Sequence, residues 1–216
     1  MMRYRFPLAV LLAVVAPPAW AQSTTPTETP APDDDPALAP RLEERSFGVP
    51  FGKAWLGAAD GDVTLFVFAD YACPACRAAQ PVIDGLIAAD PRLRVVYLLL
   101  INEDEGKQAA LTSLAVAQGG GDWAAFHRAL DAGGDIGPAG IAAALKAAGI
   151  DPTTLPPLDG DAVGGSAMME ELIRNDRFTI EHKVTALPAW LVGTGKAANG
   201  FDPAVLRAAI AKARKK

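Results

Sequence analysis

The chain has 216 residues, half of them hydrophobic, which suits one globular domain with a sizeable core. Its formal charge is −5, and leaving out residues 1–21, whose charged side chains are Arg3 and Arg5, takes 20 basic residues to 18 against 25 acidic ones, a balance of −7. Phosphate binding calls for a basic surface, so this balance argues against nucleic acid as a partner.

The N-terminus has the pattern of a secretory signal. Arg3 and Arg5 precede an apolar run from Leu8 to Ala16, Pro17-Pro18 break it, and Ala19-Trp20-Ala21 offer small residues where a signal peptidase reads. The run is too short for a bilayer span, which needs about 20 residues. An uncleaved membrane anchor is the alternative. Residues 22–40 hold five prolines, four threonines, four acids and no base, a composition that cannot offset its ordering entropy by apolar burial. The expected division is a signal peptide over 1–21, a disordered linker over 22–45 and a folded domain over 46–216. A short strand is expected near Phe47–Val49.

Val63 to Ala69 is a nearly continuous apolar run and predicts a strand buried on both faces. Cys73 then occupies the N-cap position of a helix, with Pro74 first inside it. Val82, Ile83, Leu86 and Ile87 recur at helical spacing, Pro81 should kink the helix, and Asp90-Pro91 ends it. Leu93 to Ile101 predicts a second central strand, so strand, helix and strand make a βαβ unit with parallel strands. Helices follow at Lys107–Gln118, Asp122–Asp131, Pro138–Ala148 and roughly Asp161–Lys183, punctuated by Gly119-Gly120-Gly121 and Gly133-Gly134. After Leu187-Pro188 comes a strand over Ala189–Val192, with a weaker one in Lys196–Gly200. Pro203 opens a last helix with an apolar stripe of Val205, Leu206, Ala209 and Ile210. Its basic tail, Lys212, Arg214, Lys215 and Lys216, matches the negative end of the helix dipole.

Cys73 and Cys76 are the only cysteines. A helix N-terminus carries unpaired N–H groups and about half a positive charge, which stabilises a thiolate there. In a Cys-x-x-Cys turn the first sulfur exchanges with outside thiols and the second resolves the mixed disulfide. A zinc site needs four ligands, and only His127 and His182 could join the pair. Haem attachment needs His after the second cysteine, where Arg77 stands. A purely structural disulfide closing so short a loop would constrain the unfolded chain little. The strand–CxxC–helix context favours redox work and no cofactor.

The stretch Asp70-Tyr71-Ala72-Cys73-Pro74-Ala75-Cys76, with its preceding strand and following helix, resembles the active site of the DsbA-like family of exported thiol–disulfide oxidoreductases. Leu187-Pro188 resembles that family's cis-proline loop, and the helical stretch before it resembles the family's inserted helical domain. The resemblance runs from about Phe47 to the C-terminus. It implies an α/β thioredoxin-like fold with a helical insertion over about 104–183. It also implies Pro188 beside Cys73 and Cys76, a cis bond before it, and a Leu187 backbone free to pair with an extended substrate chain. Two departures stand out. Many relatives have an acid in the strand six positions before the first cysteine, where Val67 stands, and strong oxidants often have His where Ala75 stands. A milder redox poise is the expectation.

Other polar residues are assigned smaller parts. Asp70 is read as a turn-former, Tyr71 as flanking the substrate groove, and Arg77 as solvent-facing. His127 and His182 are read as structural or surface residues without partner spacing, and Met168-Met169 as helix core. The resulting expectation is a periplasmic oxidoreductase, exported by a cleavable signal peptide, acting as oxidant on cysteine-containing exported proteins and reset by a membrane redox partner. A periplasmic reductase or isomerase and a two-thiolate copper carrier are the alternatives.

Overall fold

The computed structural model describes residues 54–102, 104–158, 165–193 and 195–215, so the expected signal peptide, linker and Phe47–Val49 strand lie outside the described residues. Five strands, β1 (Trp55–Gly57), β2 (Val63–Ala69), β3 (Leu93–Leu99), β4 (Ala189–Val192) and β5 (Ala198–Asn199), form one sheet in the order β1-β3-β2-β4-β5. β2 and β3 pair in parallel across α1 (Pro74–Ala89), as the βαβ pattern predicts, and the remaining pairings are antiparallel. This is a mixed α/β, thioredoxin-like architecture.

Alternation along the central strands gives the sheet two buried faces. Leu65, Val67, Val95 and Tyr97 belong to one core, while Phe66, Phe68, Val96 and Leu98 belong to the other. The first core takes Ile83 and Leu86 of α1 and Leu206 and Ile210 of the last helix, α6 (Pro203–Ala213). The second is covered by Phe178, whose ring stacks on Phe68 at 5.8 Å. A strand buried on both faces reads as an unbroken apolar run, which is why β2 was legible without alternation.

Between β3 and β4 the described residues form four α-helices, α2 (Asp104–Gln118), α3 (Trp123–Gly133), α4 (Pro138–Ala147) and α5 (Gly165–Glu181), with a 3-10 turn at Pro152–Thr154. Asp122 caps α3 by accepting from the Ala125 N–H at 3.0 Å. Residues 161–164 of the expected Asp161–Lys183 helix lie outside the described residues.

Several expectations change. β3 ends at Leu99 rather than Ile101, because the Leu100 N–H goes to the Ala69 carbonyl and the Asn102 N–H to the Asp70 carboxylate. Val205 is 52% exposed, so the last helix buries Leu206 and Ile210 without it. Arg214 does more than answer the helix dipole: its guanidinium bridges Asp62 at 2.7 Å and Asp90 at 2.8 Å, fastening the C-terminus to the edges of β2 and α1. That pairing holds the Asp90 carboxyl below its usual range, chiefly through the Arg214 hydrogen bond.

Candidate active site

β2 ends at Ala69, and the turn after it is built by Asp70. Its carboxylate is buried and accepts from the Ala72 N–H at 2.8 Å and the Asn102 N–H at 2.7 Å, while its carbonyl accepts from the Cys73 N–H at 3.0 Å. One side chain thus ties the cysteine turn to the exit of β3, as a turn-former should. Gly106, in the first turn of α2, packs so close that a Cβ there would meet Asp70 Oδ1.

Cys73 and Cys76 form a disulfide. Cys73 is the N-cap of α1 in extended conformation (φ −86°, ψ 108°), with Pro74 at the first helical position. Its Sγ accepts the Cys76 N–H at 3.1 Å, so the sulfur occupies the place an N-capping oxygen would take, at the positive end of the helix. Cys73 is half-buried, whereas Cys76 is 8% exposed and lies inside the core. One sulfur faces the outside and the other lies beneath it, which is the asymmetry that stepwise exchange requires.

The Leu187–Pro188 peptide bond is cis. Ala189 pairs with Phe68, so the register brings Pro188 to the end of β2 from which the cysteine turn springs. The Pro188 carbonyl accepts from Gly200, and among the described residues the Leu187 backbone has no hydrogen-bond partner. A cleft of about 150 Å³ beside it is lined by Leu187, Ala186, Thr185, Thr179 and Asn102.

Tyr71 departs from its expected place flanking the groove. It is 3% exposed, and its hydroxyl points into the helical insertion, 2.9 Å from Ser113 Oγ and 2.8 Å from His127 Nδ1. The phenol fills the space under the cysteine turn, and its backbone carbonyl accepts from Arg77 Nη1 at 3.0 Å. Arg77 is therefore anchored to the turn.

His127 is the hub of a buried network. Gln80 directs its amide nitrogen to Asp84 and its Oε1 inward, where it accepts from the Tyr97 hydroxyl at 2.6 Å and faces His127 Nε2 at 3.2 Å. An amide oxygen only accepts, so Nε2 carries the proton and Nδ1 accepts from the Tyr71 hydroxyl. Ser113 then donates to Tyr71 and accepts from Trp123 Nε1 at 2.7 Å. The Trp123 ring stacks on the imidazole with centroids 4.6 Å apart. Burial, with a smaller contribution from the charge of Arg128, lowers the His127 pKa to about 3. Burial, aided by Asp84 and opposed by Arg77, raises that of Asp131 to about 6. The two lie 3.6 Å apart yet are not an ion pair, since Asp131 is neutral in the range where His127 gains its charge. Burial, reinforced by Asp131, pushes the Tyr71 phenol far above its ordinary value.

The sequence reading set His127 aside for want of a partner. The signal was present: Asp131 follows it by four residues, on the same face of one helix. Ser113, Gln80 and Tyr97 come from separate elements and carry no such spacing.

No protein-family profile and no curated protein sequence matches the chain, whereas solved structures do. A thioredoxin-like oxidoreductase from Silicibacter pomeroyi DSS-3 is 27% identical, with 80% of this chain and 98% of that one covered and a TM-score of 0.67. A periplasmic thioredoxin-like protein from Salmonella enterica serovar Typhimurium is 22% identical, covering 82% of this chain and 97% of that one at a TM-score of 0.66. The thiol-disulfide exchange protein alpha-DsbA2 from Wolbachia pipientis shares the fold at 18% identity, with 83% and 96% covered and a TM-score of 0.64.

Proposed function

We propose that this thiol–disulfide oxidoreductase, which shares its fold with thioredoxin-like oxidoreductases, is a DsbA-like protein exported to the periplasm, where it serves as an oxidant of cysteine-containing proteins. The observation that carries this reading is the placement of Cys73 Sγ at the N-cap of α1, above a buried Cys76 to which it is already joined. Oxidised Cys73–Cys76 accepts two electrons from a substrate dithiol. A substrate thiolate attacks Cys73, the intramolecular S–S bond breaks, and the electron pair leaves on Cys76. The second substrate thiol then displaces Cys73 and closes the substrate disulfide.

The free Leu187 backbone beside cis-Pro188 supports substrate binding by strand addition, in which main-chain hydrogen bonds hold an extended segment with little regard to its sequence. A quinone-linked or other membrane redox protein would return the pair to the disulfide. Export rests on the leader-like pattern of residues 1–21, and no described helix is long and apolar enough to cross a membrane.

The test is the reduction potential of the pair, measured by equilibration in glutathione buffers. An oxidant gives a value between about −120 and −200 mV, and a value below about −230 mV would assign the pair to reduction.

A further inference from the structure

The resolving sulfur has a proton problem that Cys73 does not share. Cys76 is 8% exposed, and each time the disulfide opens it must take up a proton or remain as an unpaired charge in the core, which is expensive. Each time the disulfide closes, that proton must leave. Bulk water does not reach the sulfur freely, so the route runs through the protein.

One cavity touches Cys76 from within. It is lined by Cys76, Val67, Asp70, Tyr97, His127 and Asp131 among others, and its volume is about 10 Å³. That is close to the smallest space that holds a single water molecule, about 10–15 Å³. Of the ionisable groups on its wall, Asp70 spends both carboxylate oxygens on backbone N–H groups, Tyr97 donates to Gln80, and the His127 nitrogens are committed to Tyr71 and Gln80. The Asp131 side chain, 10% exposed, lines the same cavity and lies 3.6 Å from His127 Nε2.

We propose that Asp131 is the proton acceptor and donor for Cys76, passing the proton to and from its sulfur through one water in this cavity. The proposal rests on the exchange reading above. On reduction, the electron pair of the broken S–S bond stays on Cys76 Sγ, which takes the proton from the Asp131 carboxyl. On reoxidation, the Asp131 carboxylate takes the proton from the Cys76 thiol, and the thiolate attacks Cys73 Sγ of the mixed disulfide. The partner's thiolate departs with the displaced electron pair. The partner's sulfurs supply or receive the electrons throughout.

The surroundings poise Asp131 for this work. His127 and Arg128 stand on its own helix, Arg77 and Asp84 face it from α1, Tyr97 from β3 and Tyr71 from the cysteine turn. Burial outweighs the Arg77 charge and sets its titration at about 6, close enough to neutrality for a carboxyl to work in both directions. His127 stays neutral there, and Tyr71 and Tyr97 are held far above.

The experiment follows the reduced full-length protein reacting with oxidised glutathione, quenched at intervals and read by mass spectrometry between pH 5 and 8. Formation of the Cys73–glutathione disulfide and its resolution by Cys76 are separate steps. In the wild type, resolution should show an inflection near pH 6. In Asp131→Asn the inflection should vanish and resolution at pH 7 should slow tenfold or more, while formation changes less than about threefold. An unchanged resolution profile in Asp131→Asn overturns the proposal. If no mixed disulfide forms on wild-type Cys73, the exchange reading itself has failed. Should Asp131→Asn not fold, carbon-13 titration of Asp131 in the wild type decides: its midpoint must differ between disulfide and dithiol forms, and an identical midpoint overturns the proposal.

Discussion

The Tyr71 hydroxyl lies 2.8 Å from His127 Nδ1, joining the residue two places before the first cysteine to α3, the second helix of the insertion. The insertion is therefore keyed into the active-site turn from below, through a polar contact that is closed to water.

Tyr71→Phe tests that contact. Removing the hydroxyl leaves His127 Nδ1 without its donor and Ser113 without an acceptor, both buried. Leaving such groups unsatisfied costs about 1–3 kcal/mol. Urea unfolding should show a loss in that range, with the disulfide still forming. A loss below about 0.5 kcal/mol would mean the network contributes little.

Gly106→Ala tests the second link between the insertion and the turn. The new methyl would meet Asp70 Oδ1 and lie 3.3 Å from the Ala72 nitrogen. Asp70 must then give up the Ala72 or the Asn102 N–H, and a destabilisation of about 1–3 kcal/mol is expected. Reduction of the disulfide by dithiothreitol should also change in rate, since the Cys73 N–H hangs on the same turn. Unchanged stability together with an unchanged rate would contradict this.

His127 and Asp131 impose opposite pH dependences on stability. Below pH 6.5 the unfolded chain protonates His127 while the folded chain refuses the proton until about 3, so stability falls on acidification through that window. Asp131 takes its proton near 6 when folded and near 3.8 when unfolded, so stability rises on acidification from about 6 to 3.8. Between those values the two nearly cancel. Asp131→Asn removes the second effect, so between pH 6 and 4 the variant should lose about 1.4 kcal/mol per pH unit relative to the wild type. Parallel stability curves for the two proteins would show that Asp131 titrates normally.

Strands buried on both faces, the Cys73 N-cap with Pro74, and the helix stripes announce themselves by composition and spacing, and these elements were legible in the sequence. The short edge strand β1 was not. Its three residues, Trp55, Leu56 and Gly57, acquire strand geometry only by pairing with Val96, Val95 and Arg94, and nothing local marks them. The inward turn of Tyr71 was equally hidden. A tyrosine beside an active-site cysteine looks like a groove residue until Ser113 and His127, 42 and 56 positions away, supply its partners. Long-range polar networks have no period, so a sequence displays only the members that share a helix face, here His127 and Asp131.

The central claim is that Cys73 meets the substrate and Cys76 resolves. It is tested most directly by trapping. Cys76→Ser, expressed as the full-length chain and isolated under acid quench, should carry exported proteins covalently bound through Cys73, released by reductant. Cys73→Ser should carry almost none, because its remaining sulfur is buried. Equal trapping by both variants, or trapping through Cys76 alone, would contradict the account.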